Sequence, residues 1–437
     1  MTYKIDARAV HSELSKFMLA DGFDIVFDNE KSHGSYFYDA KNQREILDFF
    51  TFFASSPIGF NHQKMRTREF IEKIGKIALH KPSNSDIYTV EMAEFVSTFA
   101  RVAKPEWMKY LFFVSGGALA VENALKTAFD WKIRMNLSKG KGEKGKKVLH
   151  FKHAFHGRSG YTLSLTNTFD PRKTKYFPKF EWPRVESPAL RFPIDEKEIA
   201  RVAKEEEKIL NEIKQIIKAD HDDIAALIIE PIQAEGGDRH FREEFFKELR
   251  RITLENDILF IVDEVQTGMG LTGKFWCIEH YNVMPDIIAF GKKAQICGII
   301  VSERVDEVED HVFIESSRIN STWGGNLVDM VRSDYILRIM EEEKLVENAD
   351  KIGSHLLSKM VGLKSDKISN VRGKGLLIAF DLSDSAKRDR MFDKLFENGL
   401  FAIKCGEKSI RFRPPLNLSK EEADRGVEIL EKSLKEI

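Results

Sequence analysis

A chain of 437 residues exceeds the usual reach of one hydrophobic core, so two domains, or a large one with an appendage, are expected. Its 68 Lys and Arg balance 69 Asp and Glu, a formal charge of −1 that argues against a dedicated nucleic-acid or membrane-surface protein, and 42% hydrophobic residues exclude wholesale disorder. Cys277, Cys297 and Cys405 are odd in number and lack metal-ligand spacing, which supports neither a disulfide framework nor a metal site and fits a reducing cytoplasm.

The opening residues have no apolar signal-peptide core, and no apolar run reaches membrane-spanning length, so a soluble, cytoplasmic protein is expected. Residues 23–27 and 35–39 alternate like strands in an arm too short for its own core, which should pack on something distant in sequence. Residues 50–57 are apolar and then small, suited equally to a pocket wall or a buried loop. Residues 112–114 read as a strand running into Ser115-Gly116-Gly117-Ala118, after which residues 119–129 have helical spacing. A small-residue turn at a helix start leaves backbone N–H groups free for an anion, and a phosphate is placed there; glycines present only for close packing are the competing reading. The lysine- and glycine-rich stretch 138–147 lacks stacking aromatics and reads as a solvated, mobile loop.

Strand 148–151 delivers Phe155 and Arg158, an aromatic that can stack on a ring and a guanidinium that can clamp a carboxylate. Residues 199–217 form an amphipathic covering helix, and the apolar run 225–229 ends at Glu230 with Glu235 close behind. Residues 258–262, β-branched and aromatic, stop at Asp263, with Gln266 following; residues 286–290 run directly into Gly291-Lys292-Lys293. Both runs read as buried parallel strands, and ligands collect outside the carboxyl ends of such strands. Glycines 268, 270 and 273 match a dinucleotide pattern but lack the surrounding strand–turn–helix unit. Asn320 to Asn326 is small and polar before a helix near Leu327, where Thr322 suits either a phosphate or a helix cap. Helices at 327–343 and 350–361, a strand at 376–380 and a capping box at Ser419-Lys420-Glu421-Glu422 opening a helix to Ile437 make a smaller α+β domain, from which Arg411 reaches inward.

An aspartate and a lysine side by side at a sheet edge suit pyridoxal 5'-phosphate. A carboxylate keeps the pyridine nitrogen protonated, and a lysine amine closes a Schiff base on the aldehyde.

The stretches 81–86, 116–131, 156–168, 230–242, 263–273, 320–331 and 371–375 together resemble the class III aminotransferases of pyridoxal-phosphate fold type I, over nearly the whole chain. The resemblance implies an α/β fold: an arm at 1–60, a large cofactor domain at 61–326 with a mostly parallel, seven-stranded sheet, and a small domain at 327–437. It implies that Lys292 is the Schiff-base lysine, Asp263 pairs with the pyridine nitrogen, Gln266 meets the ring hydroxyl and Phe155 covers the ring. Gly117, Ala118 and the partner subunit's Thr322 would hold the phosphate in a homodimer with shared sites. Gly116-Gly117-Ala118-Leu119-Ala120 stands where many class III enzymes carry Ser-Gly-Ser-Glu-Ala, losing the usual hydroxyl and carboxylate, a departure that the lysine-specific branch shares and that weakens assignment to the ornithine or acetylornithine branches more than to that one.

The activity so implied moves the terminal amine of L-lysine to 2-oxoglutarate, giving 2-aminoadipate 6-semialdehyde and glutamate. Ornithine, 4-aminobutyrate or another ω-amine as donor, or racemisation on the same scaffold, are the alternatives. Arg158, Glu235, Arg411 and Asn320 are assigned to the substrate. Glu235 is expected to cover Arg411 while lysine reacts and to swing away for the keto acid.

Overall fold

The structure, a computed structural model, describes residues 5–437; the first four residues of the amino-terminal arm lie outside the described residues. The apolar runs of the sequence pair into one seven-stranded sheet. Its order is Met108–Val114, Cys297–Ser302, Ile287–Phe290, Leu259–Asp263, Ile224–Ile229, Lys147–Phe151, Arg184–Val185. Cys297–Ser302 runs antiparallel to both its neighbours, and the pairings from Ile287–Phe290 to Arg184–Val185 are all parallel.

Side chains alternate between two apolar layers, which is why these runs are hydrophobic throughout. Leu259, Ile261, Ile287 and Ala289 face Val121, Leu125 and Trp131 of the helix Gly117–Ser138. Phe260, Val262, Ile288 and Phe290 belong to the opposite layer, with Phe245, Phe246 and Leu249 of the helix Glu243–Glu255. Each such burial contributes about 1.5–3 kcal/mol, and a one-residue slip would exchange the two layers, so the register is firmly set. Asp263 pairs across from Ala289, three residues before Lys292, and Ile229 pairs with Val262, which sets Glu230 beside Asp263.

The carboxyl-terminal part carries an antiparallel sheet in the order Ser369–Lys374, Leu377–Asp381, Ser409–Phe412, Ile403–Cys405, packed with the helices Leu345–Val361, Ser385–Glu397 and Lys420–Glu436. The hairpin Tyr36–Asp39 and Arg44–Asp48 is completed by Leu400–Phe401, which pairs in parallel with its second strand. The arm is therefore tied to the far end of the chain. The capping box at Ser419 and Glu422 is present. No described helix is long and apolar enough to cross a membrane.

Several local expectations change. Residues 23–27 form no strand beyond a single bridge from Phe27 to Asp39; Phe23 instead packs its ring on Phe50 and Phe401. The helix expected from residue 350 begins at Leu345, just after Lys344 takes a left-handed conformation and separates it from Leu327–Glu342. The loop around Lys139 to Lys147 is pinned by Lys139 to Asp257, Lys141 to Asp222 and the Gly145 N–H donating to Asp223. Thr322 caps no helix, since the Asn326 side chain accepts from the Val328 N–H and opens Leu327–Glu342.

Candidate active site

Three strand ends place three chemically distinct groups at one edge of the sheet. Asp263 accepts from the Val265 N–H at 3.0 Å through Oδ1, and its Oδ2 lies 2.7 Å from His156 Nδ1. Burial opposes a charge on His156, but the hydrogen bond and charge of Asp263, with Glu230 behind it, raise the imidazole above its usual pKa. Glu230 sits alongside, accepting from the N–H groups of Phe155 at 2.9 Å and Ala234 at 3.2 Å. Burial pushes Glu230 up to about 8, with Asp263 adding to the shift and His156 opposing it. Burial thus favours the neutral form of Glu230.

Lys292 follows the strand Ile287–Phe290 through Gly291, where a Cβ would stand 2.7 Å from Cys297 Sγ. It takes a left-handed conformation, φ 49°, closed by the Gln295 N–H donating to its carbonyl at 2.8 Å. Its amine makes no hydrogen bond among the described residues. Burial brings its pKa down to about 8, helped by the Arg411 charge and opposed by Glu235 and Asp263. An amine so lowered is neutral far more often near pH 7.5 than a free lysine is. Lys293 is different: it is buried and donates to the Gln266 carbonyl at 2.8 Å, so it holds the backbone.

The wall over Lys292 is unusual. Thr51, Phe52, Phe53 and Ala54 all have positive φ, between 44° and 64°, a left-handed turn without glycine. Such a conformation costs about 1–2 kcal/mol per residue and persists only where surroundings hold it. Asp48 accepts from the N–H groups of Phe50 and Thr51, Thr51 donates to the Arg413 carbonyl, and the Gln295 amide donates to the Ser55 carbonyl. Gln266 and Lys293 reach the carbonyls of Phe53 and Ala54 at 3.4 Å each. The Phe53 ring centroid then lies 5.9 Å from Lys292 Nζ.

At the start of Gly117–Ser138, Gly116 has φ 114°, no side chain caps the first turn and no acidic residue lies in it, so the N–H groups of Gly117 and Ala118 are available to an anion. Gly157, φ 130°, passes so close that a Cβ there would stand 2.6 Å from the Ala118 Cβ. Glu122 fixes the next turn, its Oε1 accepting from Ser159 Oγ and the Tyr161 N–H at 2.8 Å each. Arg158, between these anchors, is exposed.

Glu235 sits between two cations. Arg411 donates to its Oε2 at 3.1 Å and Lys173 to its Oε1 at 2.5 Å, while Arg411 Nε and Nη1 are buried without a partner. Burial works against the Glu235 charge, yet Arg411 and Lys173 hold its carboxyl below the usual range. Lys173 Nζ also lies 5.6 Å from the centroid of the half-buried Phe155 ring. Asn320 and Thr322 are exposed, and no hydrogen bond among the described residues joins them to Gly117, Ala118 or Lys292 of their own chain. His156 carries no signal in the sequence beyond its nearness to Phe155 and Arg158, and Lys173 carries none.

These groups fit pyridoxal phosphate: a part-neutral amine without a partner, an anion backed by a buried imidazole, and an uncapped helix start. The profile described as aminotransferase class-III matches residues 19–434. The chain is 49% identical over 430 residues to the L-lysine-epsilon aminotransferase of Mycobacterium tuberculosis, covering 97% of this chain and 95% of that one. It is 44% identical over 435 residues to the L-lysine-epsilon aminotransferase of Amycolatopsis lactamdurans, covering 98% and 96%. The structure of lysine aminotransferase from M. tuberculosis in the internal aldimine form superposes with a TM-score of 0.96 at 48% identity, covering 99% of both chains.

Proposed function

Since the chain belongs to the class III aminotransferases, whose cofactor is pyridoxal 5'-phosphate and whose fold is type I, we propose that it transfers the terminal amino group of L-lysine to 2-oxoglutarate. The products are 2-aminoadipate 6-semialdehyde, which cyclises to piperideine-6-carboxylate, and L-glutamate. The observation that carries this reading is the Glu235 carboxylate lying against Arg411. L-Lysine has no carboxylate beside its reacting amine, whereas 2-oxoglutarate has one beside its keto group. One pocket serves both if its inner guanidinium is masked for the first and bared for the second.

The cofactor supplies the electron sink for breaking the bond to hydrogen at the amine-bearing carbon. Lys292 Nζ, part-neutral near pH 7.5, takes that proton and returns it. Asp263, held by His156, would pair with the cofactor's pyridine nitrogen and keep it protonated, Gln266 would meet its ring hydroxyl and Phe155 would cover its ring. Arg158 receives the far carboxylate of either substrate as a bidentate guanidinium, and Arg411 receives the near carboxylate of 2-oxoglutarate when Glu235 moves aside.

The same reading makes the protein a cytoplasmic homodimer of arm 1–60, cofactor domain 61–326 and small domain 327–437. The partner subunit's Thr322 joins Gly117 and Ala118 at the phosphate, and Asn320 stands at the substrate entrance. Supporting this, Thr322 is exposed and its segment is tied to Ser83 and Ser85, which donate to the carbonyls of Thr322 and Ser321. Incubating the holoenzyme with L-lysine and 2-oxoglutarate should yield glutamate and the cyclised imine together. Glutamate from ornithine or 4-aminobutyrate but not from lysine would overturn the assignment.

A further inference from the structure

Behind the Glu235 loop lies a cavity of about 860 Å³ that transamination does not use. The helix Glu196–Asp220 and the edge of the carboxyl-terminal sheet form its walls, and Gly236, Gly237 and Arg239 lie between them. Some of the charges lining it are matched, while the cations Arg191, Lys208, Arg239 and Lys408 outnumber the carboxylates Glu212 and Glu407 that likewise form no ion pair among the described residues. Arg372 pairs with Asp381 at 2.8 Å, Arg201 with Glu205 at 2.6 Å, and Glu186 with Lys152 outside the cavity.

Arg239 is one of the unpaired cations. One of its guanidinium nitrogens donates to the Ser187 carbonyl at 2.6 Å, but Nε is sealed from solvent without a partner. Burial, with Arg372 and Arg191 adding repulsion, presses its pKa down to about 10 against the pull of Glu205 and Glu186. Its backbone is fixed, because Gln233 and Arg239 exchange N–H to carbonyl bonds at 3.1 and 3.0 Å, so it has little freedom to find a partner elsewhere. Apart from the sealed Nε and the nitrogen bound to Ser187, the Arg239 guanidinium forms no further hydrogen bond and is open to an anion in the cavity, and Arg191 and Lys408, both on the lining, form no ion pair among the described residues.

We propose that this cavity binds a small multivalent oxyanion, a polycarboxylate or a phosphate compound, held by Arg239 with Arg191 and Lys408 beside it. Isothermal titration of the holoenzyme with tricarballylate and, separately, with inorganic pyrophosphate tests this and tells the two chemistries apart. At least one probe should bind saturably, with affinity reduced roughly tenfold in Arg239→Gln and unchanged in Arg411→Lys. Failure of both probes to saturate, or a loss that follows Arg411 instead of Arg239, would overturn it. If Arg239→Gln does not fold by circular dichroism, Arg191→Glu and Lys408→Glu decide. Each should weaken binding by about threefold or more, and unchanged affinity in both would equally overturn the proposal.

Discussion

Replacing Lys173 by methionine should slow one half of the reaction and spare the other. Lys173 Nζ lies 2.5 Å from one Glu235 oxygen while Arg411 holds the other at 3.1 Å. When Glu235 leaves Arg411 to admit a carboxylate, it therefore still has a cation; in Lys173→Met it has none. The side chains of Lys173 and Glu235 are only 16% and 29% exposed, so water compensates poorly. At this separation and an effective dielectric near 20 the bare attraction is roughly 6–7 kcal/mol, most of which desolvation offsets. A charged hydrogen bond nets about 1.5–3 kcal/mol, which at about 1.4 kcal/mol per decade is a ten- to hundredfold loss. That loss should fall on kcat/KM for 2-oxoglutarate and glutamate, while the lysine half, which needs Glu235 on Arg411, stays within about twofold. Single-turnover stopped-flow at the cofactor absorbance, with L-lysine and then with L-glutamate, reads the two separately. Equal loss in both, or a greater loss with lysine, refutes the shared-carboxylate reasoning.

Three other outcomes are expected. In cofactor-free protein, labelling of Lys292 by trinitrobenzenesulfonate, followed by peptide mapping, should rise with a midpoint near pH 8, because the neutral amine reacts; a midpoint above 10 would contradict the lowered pKa. His156→Leu leaves Asp263 buried without its cation and should cost about 3–5 kcal/mol in urea unfolding. Since the folded His156 pKa is raised, its contribution is complete below about pH 6.5 and fades as pH climbs through the raised value, so the gap between wild type and variant should narrow there. Gly157→Ala puts a Cβ 2.6 Å from the Ala118 Cβ and 2.7 Å from Thr162 Oγ1 at φ 130°, which should lower stability by about 1–3 kcal/mol and weaken cofactor retention on dialysis. Unchanged retention would detach that contact from the phosphate site.

The strands bearing Asp263 and Lys292 could be read from residue order because each is a buried run bounded by a polar residue, a purely local pattern. The same holds for the helix after Gly116 and the capping box at Ser419. Pairings that join distant segments left no such mark. His156 meets Asp263 only because neighbouring strand ends converge, and Lys173 comes from a stretch with no regular pattern of its own. The turn at Thr51–Ala54 was hidden for another reason: no glycine or asparagine announces its left-handed backbone, which tertiary contacts impose. The strand Arg44–Asp48 pairs with Leu400–Phe401 across most of the chain, beyond anything hydrophobic spacing can report.

That left-handed turn also dictates when the pocket can come into being. It is held by residues 48, 266, 293, 295 and 413, so four of its ties come from chain made by the time residue 295 is added, and the last, from Thr51 to the Arg413 carbonyl, closes only when the far end of the chain folds back onto the arm. A chain clipped before Arg413 would keep the other ties and lose that one, leaving the wall over Lys292 anchored from one side fewer.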